Sequence, residues 1–258
     1  MKPLVRRILL AVTVLLLLIG TALLLSGSRA HRQMVTCKGL KVEFADQHRF
    51  VSDTDVKTWL EREYGSYVGQ RLDSVDLSRI EKILDNQSAI LKSEAYTTED
   101  GLLNVRISQR EPVLRFQKGD MGFYVDDRGF IFPLQDNFTA RVPIVDGAIP
   151  VSFEPGYKGK ARTEKERRWI SDVMDMMAWI HRSKVWREAI VQVSVAGNGD
   201  LVLVPREGNE RFLFGAPVDI PDKFSRIARY YEYIKPAPDK GPYKTVNVKF
   251  DRQIICRQ

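Results

Sequence analysis

Two adjacent carboxylates, Asp126 and Asp127, stand beside Arg128 and Gly129 within residues 123–133, FYVDDRGFIFP, and invite a search for acid–base or metal chemistry. A calcium loop is excluded because Arg128 stands where an oxygen ligand is needed and no Asp or Asn comes just before Gly129. A phosphatase-type D-x-D fails at the same arginine. Neighbouring side chains on a strand point to opposite faces, so adjacent aspartates do not easily share one site. As a turn, every residue has a use: Asp126 accepts backbone hydrogen bonds, Asp127 and Arg128 tolerate right-handed geometry, and Gly129 supplies positive φ. The stretch therefore predicts a type I turn with a glycine bulge between strands at 123–125 and 130–132.

Other reactive side chains are sparse. The three histidines, His31, His48 and His181, lack a Ser or Cys partner in any familiar frame, and the G-x-S-x-G, H-E-x-x-H and G-x-x-x-x-G-K-[ST] patterns do not occur. His181 suits the end of a helix, where it can satisfy terminal carbonyls. Met174, Met176 and Met177 lie near Trp169, Trp179 and Trp186, but most fall on one helical face and read as core packing rather than a cofactor box. The reading is of a non-enzyme with no cofactor and no metal site.

The elements that would position these residues fall into two groups. Leu40, Val42 and Phe44 alternate as in a half-buried strand, and Ser52 with Asp55 caps a helix bearing Val56, Trp59 and Leu60. Asp76 caps a second helix with Leu77, Ile80, Ile83 and Leu84 on one face, and runs around residues 90–97 and 103–107 flank an Asp100-Gly101 turn. Pro112 marks the end of this β-α-α-β-β unit. Beyond it come strands at VLRFQ, the two halves of the opening stretch and VPIVDG. A helix capped by Thr163 and Glu166 follows, with Ile170, Val173, Met174, Met177 and Ile180 on its apolar face. A meander of IVQVSVAG, LVLVPR and ERFLFG precedes a helix carrying Phe224, Ile227, Ala228, Tyr231 and Ile234. The alternating TVNVKFDRQIICR ends the chain as one extended segment.

The fold class is α+β. Expected boundaries are a cytoplasmic tail at 1–7, a transmembrane helix at 8–25, a linker at 26–36, the first unit at 37–112 and a mixed, mainly antiparallel β domain with two helices at 113–258. The span has 18 residues without a charge. At about 1.5 Å per residue it approaches the roughly 30 Å hydrocarbon core and exceeds a usual signal-peptide core. Cleavage after Ser28-Arg29-Ala30 is the rival reading. A short tail with Lys2, Arg6 and Arg7 is easily held in the cytoplasm, which places the bulk of the chain outside the inner membrane, in the periplasm or extracytoplasmic space.

Those three charges precede the span, so of the formal +7 only +4 remains from Ser26 onward. The remaining Lys and Arg are scattered among acids, which argues against nucleic acid as a partner. Cys37 and Cys256 have no framework spacing and read as separate thiols.

One anchor, a β-α-α-β-β unit and a mixed β domain together resemble the FtsQ/DivIB family of bacterial cell-division proteins. VDLSRIEKIL with AILKSEAYTTEDGLLNVRISQREPVLRF is similar to that family's POTRA domain, closing at Glu111-Pro112. YVDDRGFIFP resembles the hairpin that opens its β domain, and TVNVKFDRQIICR its last paired strand. Gln87-Ser88 depart from the family, which often has Pro and an aromatic there.

The resemblance implies a scaffold at the division site that takes part in septum formation. Its POTRA domain would help recruitment, and its β domain would bind the small coiled-coil proteins FtsB and FtsL, linking them to the septal peptidoglycan synthase. The family's Arg-Tyr-Asp run in the final strand matches Lys249-Phe250-Asp251. Lysine keeps a charge for a carboxylate but lacks the bidentate fork, and Phe250 keeps an aromatic without the hydroxyl. Val248, Lys249, Phe250, Asp251 and Ile254 are the expected partner-binding residues, through addition of a partner strand at a sheet edge. From the residues alone an ordinary core strand fits this segment equally well. A membrane-anchored envelope enzyme and a POTRA-type transport or assembly component are the competing classes, although the chain lacks the strand series of a transmembrane barrel.

Overall fold

The computed structural model describes residues 12–21, 35–47, 50–237 and 242–258, and residues 12–21 are helical. The expected span at 8–25 lies partly outside the described residues, and the linker at 26–36 mostly so, as do His31 and His48. Among the described residues no helix is long and apolar enough to cross a membrane. The chain divides into two compact units, Met1–Gln109 and Arg110–Gln258.

In the first unit, β1 (Gly39–Phe44) leads through α1 (Asp53–Glu63), a short 3-10 turn (Leu72–Ser74) and α2 (Leu77–Asp85) to β2 (Ile90–Thr97) and β3 (Leu102–Gln109). The strand order is β1-β3-β2, with β1 parallel and β2 antiparallel to β3. Helix α1 starts where Ser52 and Asp55 cap each other: the Asp55 N–H donates to Ser52 Oγ at 3.2 Å and the Ser52 N–H to Asp55 Oδ2 at 2.9 Å. Asp76 caps α2 by accepting from the Arg79 N–H. Val56, Leu60, Ile80, Leu84, Leu103, Val105 and Ile107 are fully buried. Each such side chain contributes about 1.5–3 kcal/mol.

The second unit contains β4 (Pro112–Lys118), β5 (Met121–Asp126), β6 (Phe130–Pro133), β7 (Ile144–Gly147), β8 (Gly159–Lys160), α3 (Glu164–Arg182), α4 (Trp186–Ala189) and β9 (Ile190–Val195). After these come β10 (Leu201–Pro205), β11 (Arg211–Gly215), α5 (Ile220–Arg229), a π-helical turn (Tyr230–Ile234), β12 (Thr245–Asn247) and β13 (Ile255–Arg257). Ten strands form one sheet in the order β13-β12-β11-β10-β9-β7-β4-β5-β6-β8. Only β4–β7, β7–β9 and β11–β12 pair in parallel, so the sheet is mixed and mainly antiparallel. Alternate residues of its strands, including Phe116, Val125, Val145, Val193, Leu203, Phe212 and Val246, share one buried cluster with Ile170, Val173, Met177 and Ile180 of α3 and Phe224 and Ile227 of α5. Trp179 stacks on Phe224 with centroids 4.6 Å apart and Trp186 meets the same ring tilted at 4.9 Å, so these tryptophans and the α3 methionines pack the core.

Three local expectations change. Pro112 does not end a unit; it opens β4 opposite Asp126, a strand-first position where proline's missing N–H is tolerated. The four-residue α4 adds to the two expected helices, and the one expected through Phe224 and Ile234 finishes as a π-helical turn from Tyr230. The closing segment is a hairpin rather than one strand: β12 pairs antiparallel with β13, and the chain reverses over residues 248–254. No Gly or Pro announces this reversal. It is built instead from the Asn247 side chain, which accepts the Lys249 N–H at 2.9 Å, and from Arg252 in left-handed geometry at φ 54°.

Candidate partner-binding edge

The aspartate turn forms as its residues predict. Gly129 has φ +70° and its N–H donates to the Asp126 carbonyl at 3.0 Å. Asp126 Oδ1 accepts from the Arg128 and Phe130 N–H groups at 3.0 and 2.8 Å. The two acids have different surroundings. Asp126 is buried and its Oδ2 accepts from Arg110 at 2.8 Å, while Asp127 is exposed. Arg110 also lies over the Phe130 ring, 3.5 Å from its centroid. The carboxylate is thus committed to holding a turn and a buried cation. His181 lies in the last turn of α3, and no cluster of His, Cys, Asp or Glu among the described residues could hold a metal ion.

The other candidate lies at the β13 end of the sheet. The strand β13 is outermost and is paired only with β12, so half of its backbone groups face away from the ladder. Beside it the turn sorts the five expected residues into two environments. Val248 is fully buried; its N–H donates to the Leu213 carbonyl at 3.0 Å, and its carbonyl accepts from Arg226 Nε at 3.0 Å. Ile254 is half-buried and packs against the same core. Lys249, Phe250 and Asp251 form the exposed turn, with Phe250 showing 49% of its surface.

Several residues not anticipated from sequence hold this turn in place. Lys249 Nζ donates to Asp200 Oδ2 at 2.7 Å, a contact that keeps the Asp200 carboxyl below its ordinary range, with help from the Asn198 amide. The lysine stem crosses Gly215, where an added Cβ would come within 2.8 Å of Lys249 Cγ. Arg226, nearly buried, reaches the turn twice: through the Val248 carbonyl and through Asp251, 3.7 Å from its guanidinium. One helical turn earlier, buried Lys223 donates to the Ala216 carbonyl at 2.7 Å and lies over the Phe214 ring; burial pushes its ammonium pKa down. Both cations flank Phe224 and Ile227 on α5. That inward-facing placement was the available signal, but no local pattern identifies the distant carbonyls they bind.

This edge has no nucleophile–base pair. It offers an exposed aromatic side chain and open strand groups, beside a lysine and an aspartate held by Asp200 and Arg226, which together suit recognition of a polypeptide. Residues 111–257 match the family model described as FtsQ/DivIB, C-terminal related, and residues 35–108 match the one described as POTRA-like domain. No curated protein matches the chain.

Proposed function

We propose, from the premise that this chain belongs to the FtsQ/DivIB family, that it is a non-enzymatic, membrane-anchored scaffold of the bacterial division apparatus whose β domain docks FtsB- and FtsL-type coiled-coil partners. The family is one of division scaffolds, and the POTRA-like unit ahead of the sheet domain agrees with that architecture. The observation that carries the partner reading is the juxtaposition of the exposed Lys249-Phe250-Asp251 turn with the outermost strand β13. A partner strand paired to β13 would complete the ladder, and Phe250 would be its apolar anchor beside Lys249.

In this reading the N-terminal helix tethers the chain to the inner membrane as a single pass with its N-terminus in the cytoplasm. The two units would work outside it, at the division site, where the bound partners connect to the septal peptidoglycan synthase and the first unit meets an upstream division recruiter. The test is co-purification of FtsB- and FtsL-type partners with the full chain carrying Phe250→Ala or Lys249→Glu. Loss of partner with the fold retained supports the reading, and undiminished capture by both variants removes it.

A further inference from the structure

A cleft of about 230 Å³ opens on α3 at the Asp127-Arg128-Gly129 turn, on the side of the unit where β8 ends the sheet. Arg128 from the turn and Lys160 from β8 bring cations to it, and Arg167 of α3 lines it with its charge already met by Glu164. Ile170 and Met174 of α3 supply apolar lining. Nearby acids are already engaged. Glu154 pairs with Arg162, Glu164 pairs with Arg167 and Arg168, and Glu166 is spent on the Thr163 cap. Among the described residues neither Arg128 nor Lys160 makes an ion pair, so two unpaired cations line the cleft, with Asp127 as its one lining acid. Like charges converging on one cleft raise its potential and draw an anion from solution.

We infer that this cleft is a second docking surface, one that takes an acidic segment of a partner polypeptide with an apolar side chain between its carboxylates. The cations would meet the carboxylates, and the apolar residue would lie on Ile170 and Met174. The volume falls below the roughly 300 Å³ at which sites for drug-sized molecules begin and suits one inserted side chain. A lipid headgroup would match the charge but leave the apolar lining unused. The inference uses no residue of the β13 edge and stands apart from the function proposed above.

The test uses the full chain in a neutral detergent and a fluorescent peptide of repeated Glu-Glu-Leu, read by polarisation. Arg128→Glu combined with Lys160→Glu is expected to weaken binding at least about tenfold, because both rim charges become repulsive. The Gln-Gln-Leu counterpart is expected not to bind. Lys165→Glu combined with Lys184→Glu changes net charge equally at exposed positions outside the cleft and is expected to leave affinity within about twofold. Equal weakening by both double variants with unchanged melting, equal binding of the uncharged peptide, or a cleft variant that loses anionic vesicles but not peptide overturns the inference.

Discussion

Arg110 and Asp126 form an ion pair at 2.8 Å whose side chains are only 11% and 2% exposed. Removing the Asp126 carboxylate takes an ion-pair partner from a nearly buried guanidinium, which costs about 3 kcal/mol. Asp126→Asn should therefore destabilise the second unit by about 3 kcal/mol, whereas Asp127→Asn should stay within about 0.5 kcal/mol. Urea unfolding followed by tryptophan fluorescence measures both, since Trp169, Trp179 and Trp186 belong to this unit. Equal effects at the two positions would contradict the assignment.

Acid should loosen the start of α3 through Glu166. Burial alone would raise its carboxyl, but hydrogen bonds from Thr163 and Ser152 outweigh that and bring it down to about 2. A lowered folded-state pKa gives stability that is complete above the ordinary value of 4.5 and fades as pH falls toward about 2. Glu166→Gln should cost about 1–2 kcal/mol at neutral pH. The gap between variant and wild type should close between about pH 4.5 and pH 2. Melting temperatures across that interval test it; a constant gap would count against the cap as the cause.

Backbone crowding predicts a contrast between two glycines. Gly147 has φ +86° and a Cβ there would run into the backbone oxygen of Val195, while Gly156 has φ +76° beside open space. Gly156→Ala should cost only the left-handed penalty of about 1–2 kcal/mol. Gly147→Ala should cost clearly more, because β7 and β9 must part to admit the methyl group. Chemical denaturation of the two variants decides the order.

Arg226 is predicted to be a positioning residue for the exposed turn. Arg226→Met leaves the Val248 carbonyl without its guanidinium donor and should cost about 1–3 kcal/mol. The specific readout is hydrogen exchange: the amides of Val248 and Lys249, which donate to the Leu213 carbonyl and the Asn247 side chain, should lose protection more than those of β10. Uniform loss across the sheet would indicate a general stability effect instead.

What the residues reveal in advance follows from how local the interactions are. Ser52-Asp55 and Thr163-Glu166 announce their helices because a capping box closes within four positions. Asp126 and Gly129 likewise define a turn whose bonds all fall within a few residues. The partner of Asp126 was hidden, since Arg110 lies 16 positions away on the chain. At the candidate edge, Phe250 was visible through its resemblance to a family run, but the hairpin around it was not. Apolar alternation continues on both sides of residues 248–254, and the reversal rests on Asn247, Arg252 and a guanidinium from α5. Period-two patterning records which face is buried and says nothing of a chain that doubles back with the same face inward.

The Lys249-Phe250-Asp251 turn and strand β13 are proposed to receive the coiled-coil partners. The most direct measurement is the affinity of full-length wild type, Phe250→Ala and Lys249→Glu for an FtsB-type partner, with melting curves to verify folding. At least about a tenfold loss is expected for each variant, with melting unchanged for Phe250→Ala and lowered only modestly for Lys249→Glu, which gives up the surface ion pair with Asp200. Wild-type affinity in both folded variants would contradict this proposal.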